Sequence, residues 1–364
     1  MAVIRNAQAR SALAVTAICR NPCAMDRRLF LAAAGALIAR PSVARASRHQ
    51  RFPDDLDIRR EGRLDDASAL EPLRTVIVAR EGAILAERAY RGASTARPTN
   101  IKSASKVIVT ALAGIAIERG LLTGVDQPIA PLLAADLPPP DRRDPRLARI
   151  ALGDLLSMQA GLDRLSGPNY GRWVSSRNWV RSALAQPFAA EPGGDMLYST
   201  ASTHLVSAIL TRVSGRSTLE LARAWLGPVP GFSIASWSRD PQGIYLGGNE
   251  MAMTPRSLLA FGELFRACGR TPDGRQVVPE SWVEACWTPR TASRFTGDAY
   301  GYGWFLRTLA GREVRYGWGY GGQMLYVVPE AKMTIVMTSA TDQPSARTGY
   351  RDELHALAAD LIEG

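Results

Sequence analysis

Residues 107–122 read VIVTALAGIAIERGLL. On a helix this stretch is apolar on nearly every side, and such a helix is stable only when other elements cover it all round. The chain must therefore enclose it. With 364 residues and 46% hydrophobic content, it can build one large domain or two closely packed ones around that helix.

The residues that lead into the helix are Ser103-Ala104-Ser105-Lys106. Only three lysines occur in the chain, at 102, 106 and 332. A lysine three residues after a serine is a weak motif on its own. Its placement adds to it. On a helix the two side chains lie one turn apart on the same face. If that face is buried, desolvation disfavours the ammonium and leaves a neutral amine able to accept the serine proton. A serine in the first turn also sits at the positive end of the helix dipole, and its backbone N–H is placed to help hold an oxyanion. The plainer alternatives are an N-cap for Ser103 and a surface-seeking side chain for Lys106. The apolar run argues against the second.

Other routes to hydrolysis are poorly supplied. Of the three histidines, His49 lies near the N-terminus, His204 reads as a partly buried packing residue, and His355 as a surface or near-surface residue of the last helix. There is no Gly-x-Ser-x-Gly elbow, no Walker-type phosphate loop, no Gly-x-Gly-x-x-Gly after a strand and no His-rich metal spacing. No metal and no organic cofactor is called for. The net charge of +10 is concentrated at one end. Residues 1–46 hold seven arginines and one aspartate, which leaves +4 for the rest. Those later arginines form no basic stripe, which disfavours nucleic acid as a partner.

The N-terminus reads as a targeting segment. Arg27-Arg28 precede eleven apolar residues, Leu29 to Ala39, and then Ala44-Arg45-Ala46, a small-x-small cleavage signal. Eleven residues are too few to span a bilayer, so no stable membrane anchor is expected. The spacing predicts a Tat-like signal peptide over 1–46, with Met25 as an alternative start, and a periplasmic or secreted domain over 47–364. Cys19 and Cys23 would be lost with the leader. Cys268 and Cys286 remain, either as a disulfide contributing about 3 kcal/mol or as buried free thiols; spacing does not choose.

Along the chain, 47–72 reads as a polar arm or short helix, and RTVIVAREGAILAERAY as a β-hairpin. After the helix that carries Ser103, which ends near Gly120, helical patterns broken by proline clusters run from about 121 to 260. Among them are ALGDLLSMQAGL and STHLVSAILTRVSG. Strands return past 295, and RDELHALAADLIE closes the chain as an amphipathic helix. The expected class is α+β, an antiparallel sheet flanked by helices with a mostly helical inserted region.

A second polar group is needed to carry the proton to a leaving group. Tyr198, in EPGGDMLYST just before a predicted helix, is a candidate for that, since a cationic lysine nearby would pull it toward phenolate, although taken alone it reads more plainly as a packing residue. Taken together, Ser103-x-x-Lys106, LLSMQAGL, EPGGDMLYST and GYGGQMLYVVPE resemble, in order and spacing, the serine β-lactamase and penicillin-binding protein superfamily. The resemblance spans roughly 70–362 and points toward class C β-lactamase-like enzymes, family VIII carboxylesterases and 6-aminohexanoate-dimer hydrolases. It implies a β-lactamase/transpeptidase-like fold, Ser103 as the acylated nucleophile, Lys106 as its base and Tyr198 as the tyrosine of the Tyr-x-Asn motif. It places Tyr320-Gly321-Gly322 where the family has Lys-Thr-Gly or His-x-Gly, and pairs the N–H of Gln323 with that of Ser103 as the oxyanion hole. Two positions depart from the pattern. Thr200 stands where asparagine is common, and Tyr320 replaces the basic residue that helps bind a substrate carboxylate. The loss of that cation favours neutral esters or amides over β-lactams and D-Ala-D-Ala substrates, unless Arg315 replaces it. The same departures admit an acyl-binding sensor with little turnover. Tyr300, Tyr302, Trp304, Tyr316 and Trp318 read either as pocket lining or as sheet packing, and Asn249 and Glu250 as residues near the cleft.

Overall fold

The computed structural model describes residues 55–364. The predicted leader and its cleavage site, Cys19, Cys23 and His49 lie outside the described residues. A helix, α1 (Asp55–Asp66), is followed by the hairpin β1 (Leu73–Arg80) and β2 (Ala83–Ala89), a two-residue strand β3 (Thr99–Asn100) and the apolar helix α2 (Lys106–Glu118). The insert supplies α3 (Ile129–Leu132), α4 (Leu152–Leu156), α5 (Tyr170–Val174), α6 (Trp179–Leu184), α7 (Thr200–Ser214) and α8 (Thr218–Trp225). Then come β4 (Ser236–Trp237), β5 (Met251–Met253), α9 (Pro255–Arg266) and α10 (Glu280–Trp287). The chain closes with β6 (Thr291–Ala292), β7 (Ala299–Tyr300), β8 (Phe305–Leu309), β9 (Arg312–Gly319), β10 (Gln323–Val328), β11 (Met333–Ser339) and α11 (Tyr350–Glu363).

Eight strands form one antiparallel sheet in the order β2-β1-β11-β10-β9-β8-β7-β6, so the N-terminal hairpin closes onto the C-terminal strands. Its central strands are covered on both faces and are accordingly apolar at nearly every position, not only at alternate ones. On β10, Met324, Tyr326 and Val328 face one core while Leu325 and Val327 face the other. The terminal helices α1 and α11 pack on the first face; α9 and the turn leading into α2 pack on the second, with α2, α7 and α10 behind them. A small sheet, β3-β5-β4, ties the approach to α2 to the end of the insert.

The burial of α2 is as the sequence requires. Every residue from Lys106 to Ala116 is buried. Gly114 lets α10 come close: a Cβ there would lie 2.1 Å from the Trp282 ring, whose Nε1 donates to the Thr110 carbonyl at 3.0 Å. Within ALGDLLSMQAGL the helix stops at Leu156, because Met158 turns left-handed (φ +64°).

Two expectations are corrected. Cys286 is a free thiol, so it does not bridge to Cys268. Its side chain is a packing residue of α10, turned into the apolar core, and burial pushes its pKa well up. His355 is buried, not superficial: α11 lays it against the sheet, where Nδ1 and the Tyr326 hydroxyl are 3.0 Å apart. Among the described residues no helix is long and apolar enough to cross a membrane.

Candidate active site

The backbone leaves β3, turns left-handed at Lys102 (φ +51°) and makes one 3-10 turn over Lys102–Ser105 before α2 begins. That turn leaves Ser103 partly exposed while Lys106, one turn further in, is 1% exposed. Lys106 Nζ lies 2.9 Å from Ser103 Oγ and donates to the Gly248 carbonyl at 2.7 Å. Burial alone pulls the lysine down to about 7. The amine is thus half neutral at that pH and largely neutral above it, with a hydroxyl within reach of its lone pair.

Gly248 is close to this pair for a steric reason. A Cβ at 248 would lie 2.2 Å from Thr203 Oγ1 and 3.2 Å from Lys106 Nζ, so only glycine lets the carbonyl approach.

Tyr198 precedes α7, and the Ser103 hydroxyl is close enough to lower its pKa. Its ring stacks on Phe305 at 5.9 Å and meets Tyr300 edge-on at 6.3 Å, with Lys106 Nζ 5.0 Å from its centroid. The expected drift toward phenolate is not found. Burial raises the Tyr198 pKa, and the nearby Ser103 hydroxyl offsets only part of that rise. Tyr198 is a neutral phenol, able to pass a proton on but not standing as an anion.

Residues already named from the sequence, Thr200, Asn249 and Glu250, are joined by partners that sequence reasoning missed, Ser166, Tyr170 and Asn100. The hydroxyls of Thr200 and Ser166 are 3.0 Å apart, and the Thr200 N–H donates to Ser166 Oγ at 2.8 Å. The position that often holds asparagine is therefore occupied by a linked hydroxyl pair. Asn249 Nδ2 donates to the Tyr170 hydroxyl at 3.1 Å, and Glu250 pairs with Lys102 and Asn100. The Arg164 guanidinium lies over the exposed Phe295 ring at 5.0 Å, joining loops 163–169 and 293–298.

Residues 319–323 form the turn from β9 to β10, with Gly321 and Gly322 at φ +83° and +97°. Tyr320 at its tip is exposed. Gly319 passes against the segment before Ser103: a Cβ there would meet the Ile101 carbonyl at 2.3 Å and Lys102 Cβ at 3.1 Å. Gln323 starts β10, opposite Gly319, and its buried amide donates to the Ser339 carbonyl at 2.8 Å. Arg315 is engaged away from the site, bonded to Glu313 at 2.7 Å and lying over the Trp287 ring at 5.6 Å. The aromatic run resolves as packing: Tyr300, Tyr302, Trp304 and Tyr316 are buried, and Trp318 Nε1 donates to Ser345 Oγ at 3.1 Å. Among the described residues no group of His, Cys, Asp and Glu is arranged to hold a metal ion.

Comparison with known proteins gives the family and the fold. A sequence model of the family described as Beta-lactamase matches residues 68–360. The fold is similar to that of a Bacillus anthracis protein assigned as a 6-aminohexanoate-dimer hydrolase, with 20% identity, 86% of each chain covered and a TM-score of 0.67. It is similar to EstCE1, a hydrolase with promiscuous acyltransferase activity, at 19% identity over 85% of this chain and 98% of that one, TM-score 0.67. Unliganded simvastatin synthase from Aspergillus terreus gives 16% identity over 86% and 100%, TM-score 0.64. No curated protein sequence matches the chain.

Proposed function

Because this chain belongs to the Beta-lactamase family and is a hydrolase of that superfamily, we propose that it cleaves an ester or amide through an acyl-enzyme on Ser103. The observation that carries the reading is the buried Lys106 amine 2.9 Å from the Ser103 hydroxyl. In the first step the Ser103 proton passes to neutral Lys106 and Oγ bonds to the substrate carbonyl carbon. The oxyanion that forms is held by the Ser103 N–H and a second N–H from the 319–323 turn, that of Gln323. As the C–O or C–N bond breaks, the proton returns through the Tyr198 hydroxyl to the departing alcohol or amine. In the second step water gives its proton to the same pair, attacks the acyl carbon and frees Ser103.

Two features support a neutral substrate over a β-lactam. Tyr320 brings no cation to the turn, and the positive side chains at 102 and 315 each face a carboxylate, Glu250 and Glu313. The substrate-binding wall we assign is Thr200, Tyr320, Gly321 and Gly322. Export by the twin-arginine route to the periplasm or beyond rests on residues 1–46, and cell fractionation of the full chain tests it.

The decisive experiment compares wild type and Ser103→Ala on a short-chain p-nitrophenyl ester and a chromogenic cephalosporin. We expect ester turnover that falls about 10⁴-fold in the variant, with little cephalosporin hydrolysis. Retained activity in the variant overturns the reading. Efficient cephalosporin turnover makes the protein a β-lactamase, and a stable mass increase on Ser103 without release makes it an acyl-binding sensor.

A further inference from the structure

Segment 248–250 touches both lysines that flank Ser103. The Gly248 carbonyl accepts from Lys106 Nζ at 2.7 Å, and Glu250 Oε1 accepts from Lys102 Nζ at 3.1 Å. The other carboxylate oxygen, Oε2, accepts from Asn100 Nδ2 at 2.6 Å, while Asn100 Oδ1 accepts the Lys102 N–H at 2.9 Å. The three side chains close a ring that grips Lys102 at its backbone N–H and at its ammonium.

What the ring holds is an uncommon backbone. Lys102 has φ +51° and Glu250 φ +52°, in the left-handed region that residues with a Cβ seldom adopt. Such conformations persist where the surroundings over-determine them, and they gather at functional sites. The ladder between β3 and β5 and the Ile101 N–H to Met251 carbonyl bond (2.9 Å) fix the chain only as far as residue 101. Lys102 is the next residue, and its φ and ψ decide where the Ser103 N–H and Oγ point. The pair is neither free in solvent nor sealed, its side chains being 19% and 33% exposed. Tyr170 is the other titratable group facing Glu250.

We propose that Glu250 is a positioning residue: through Lys102 and Asn100 it holds the backbone left-handed at 102 and so aims Ser103 at Lys106. This inference rests on Ser103 being the nucleophile.

Glycine supplies the test, because it takes positive φ without a clamp. Wild type, Glu250→Gln and Glu250→Gln/Lys102→Gly are compared by the rate at which an alkyl fluorophosphonate labels Ser103, read by intact mass, and by ester kinetics. The expected result is a fall of at least about tenfold in labelling and kcat for Glu250→Gln, with KM little changed. The added Lys102→Gly recovers most of that loss, which general destabilisation would not allow. If Glu250→Gln does not fold, Asn100→Ala opens the other arm of the ring and shows the same fall. Labelling of Glu250→Gln within twofold of wild type, a double variant no faster than the single, or a KM effect with unchanged kcat overturns the positioning role. Absence of Ser103 labelling in the wild type overturns the functional reading beneath it.

Discussion

Two buried bases lie on opposite faces of the same sheet. On one face, burial pulls Lys106 down to about 7; on the other, it pulls His355 to about 3 with help from Arg307 and Arg351. Near neutral pH the histidine is neutral and the lysine is neutral in about half of the molecules, and each has one hydroxyl at close to 3 Å, Ser103 Oγ for the lysine and Tyr326 for the histidine. They differ in what lies beyond the hydroxyl. Ser103 is partly exposed and stands before the 319–323 turn, whereas Tyr326 is wholly buried beneath α11. A neutralised base is therefore not a site by itself. It becomes one where a reactant can reach the group whose proton it takes.

The contrast can be broken most directly at Lys106. Replacing it with methionine is expected to lower kcat on an ester about 10³-fold while raising stability. The sign follows from its titration. The unfolded chain binds a proton up to about 10.5 and the folded chain releases it near 7, so stability rises with pH between those values and the full cost is present below about 7. Thermal unfolding at pH 7 is expected to show Lys106→Met more stable by a few kcal/mol. In the wild type, kcat is expected to fall about tenfold per pH unit below that pKa, as a pH–rate profile will show.

Tyr198→Phe comes next, with a loss of about 10²–10³ in kcat measured on the same ester. A substrate whose leaving group needs no proton will suffer less. Gly248→Ala is expected to cost about ten- to a hundredfold in kcat, because the new methyl group displaces Thr203 or the Lys106 amine; a poorly labelled but folded Ser103 is the readout. The smallest effect on activity belongs to the other face. His355→Gln is expected to leave kcat within twofold and to flatten the acid side of the stability curve. In the wild type the unfolded chain binds a proton there below about 6.5 and the folded chain does not until about 3, so stability is lost as pH falls through that window. Equal activity losses in the Lys106 and His355 variants would erase the distinction between the faces.

Much of this was legible in the sequence where the signal is local. An all-round apolar helix, alternating strands on either side of a helical insert, a Ser-x-x-Lys at a helix start and a tyrosine before α7 each carry their own pattern. What escaped depends on contacts between distant segments. Lys102, Asn100 and Glu250 are joined across about 150 residues, and left-handed backbone at lysine or glutamate leaves no mark in composition. Ser166 became visible only when loop 163–169 folded over Thr200. The cysteines show the same limit, since spacing cannot say which way Cys286 points. Nor can amphipathic periodicity say that the face of α11 bearing His355 is the one laid on the sheet.

The helix that carries Lys106 is packed on all sides, whereas loops 163–169 and 293–298 meet through an exposed Arg164–Phe295 stack. Mutational load is therefore distributed unequally. Changes within 104–116 are expected to act first through folding, whereas changes at the exposed positions of the two loops, away from buried Leu165 and Asp298, are expected to act on what the site admits. If Ser103 is the nucleophile, a library confined to the exposed loop positions is expected to change substrate preference while leaving labelling of Ser103 intact.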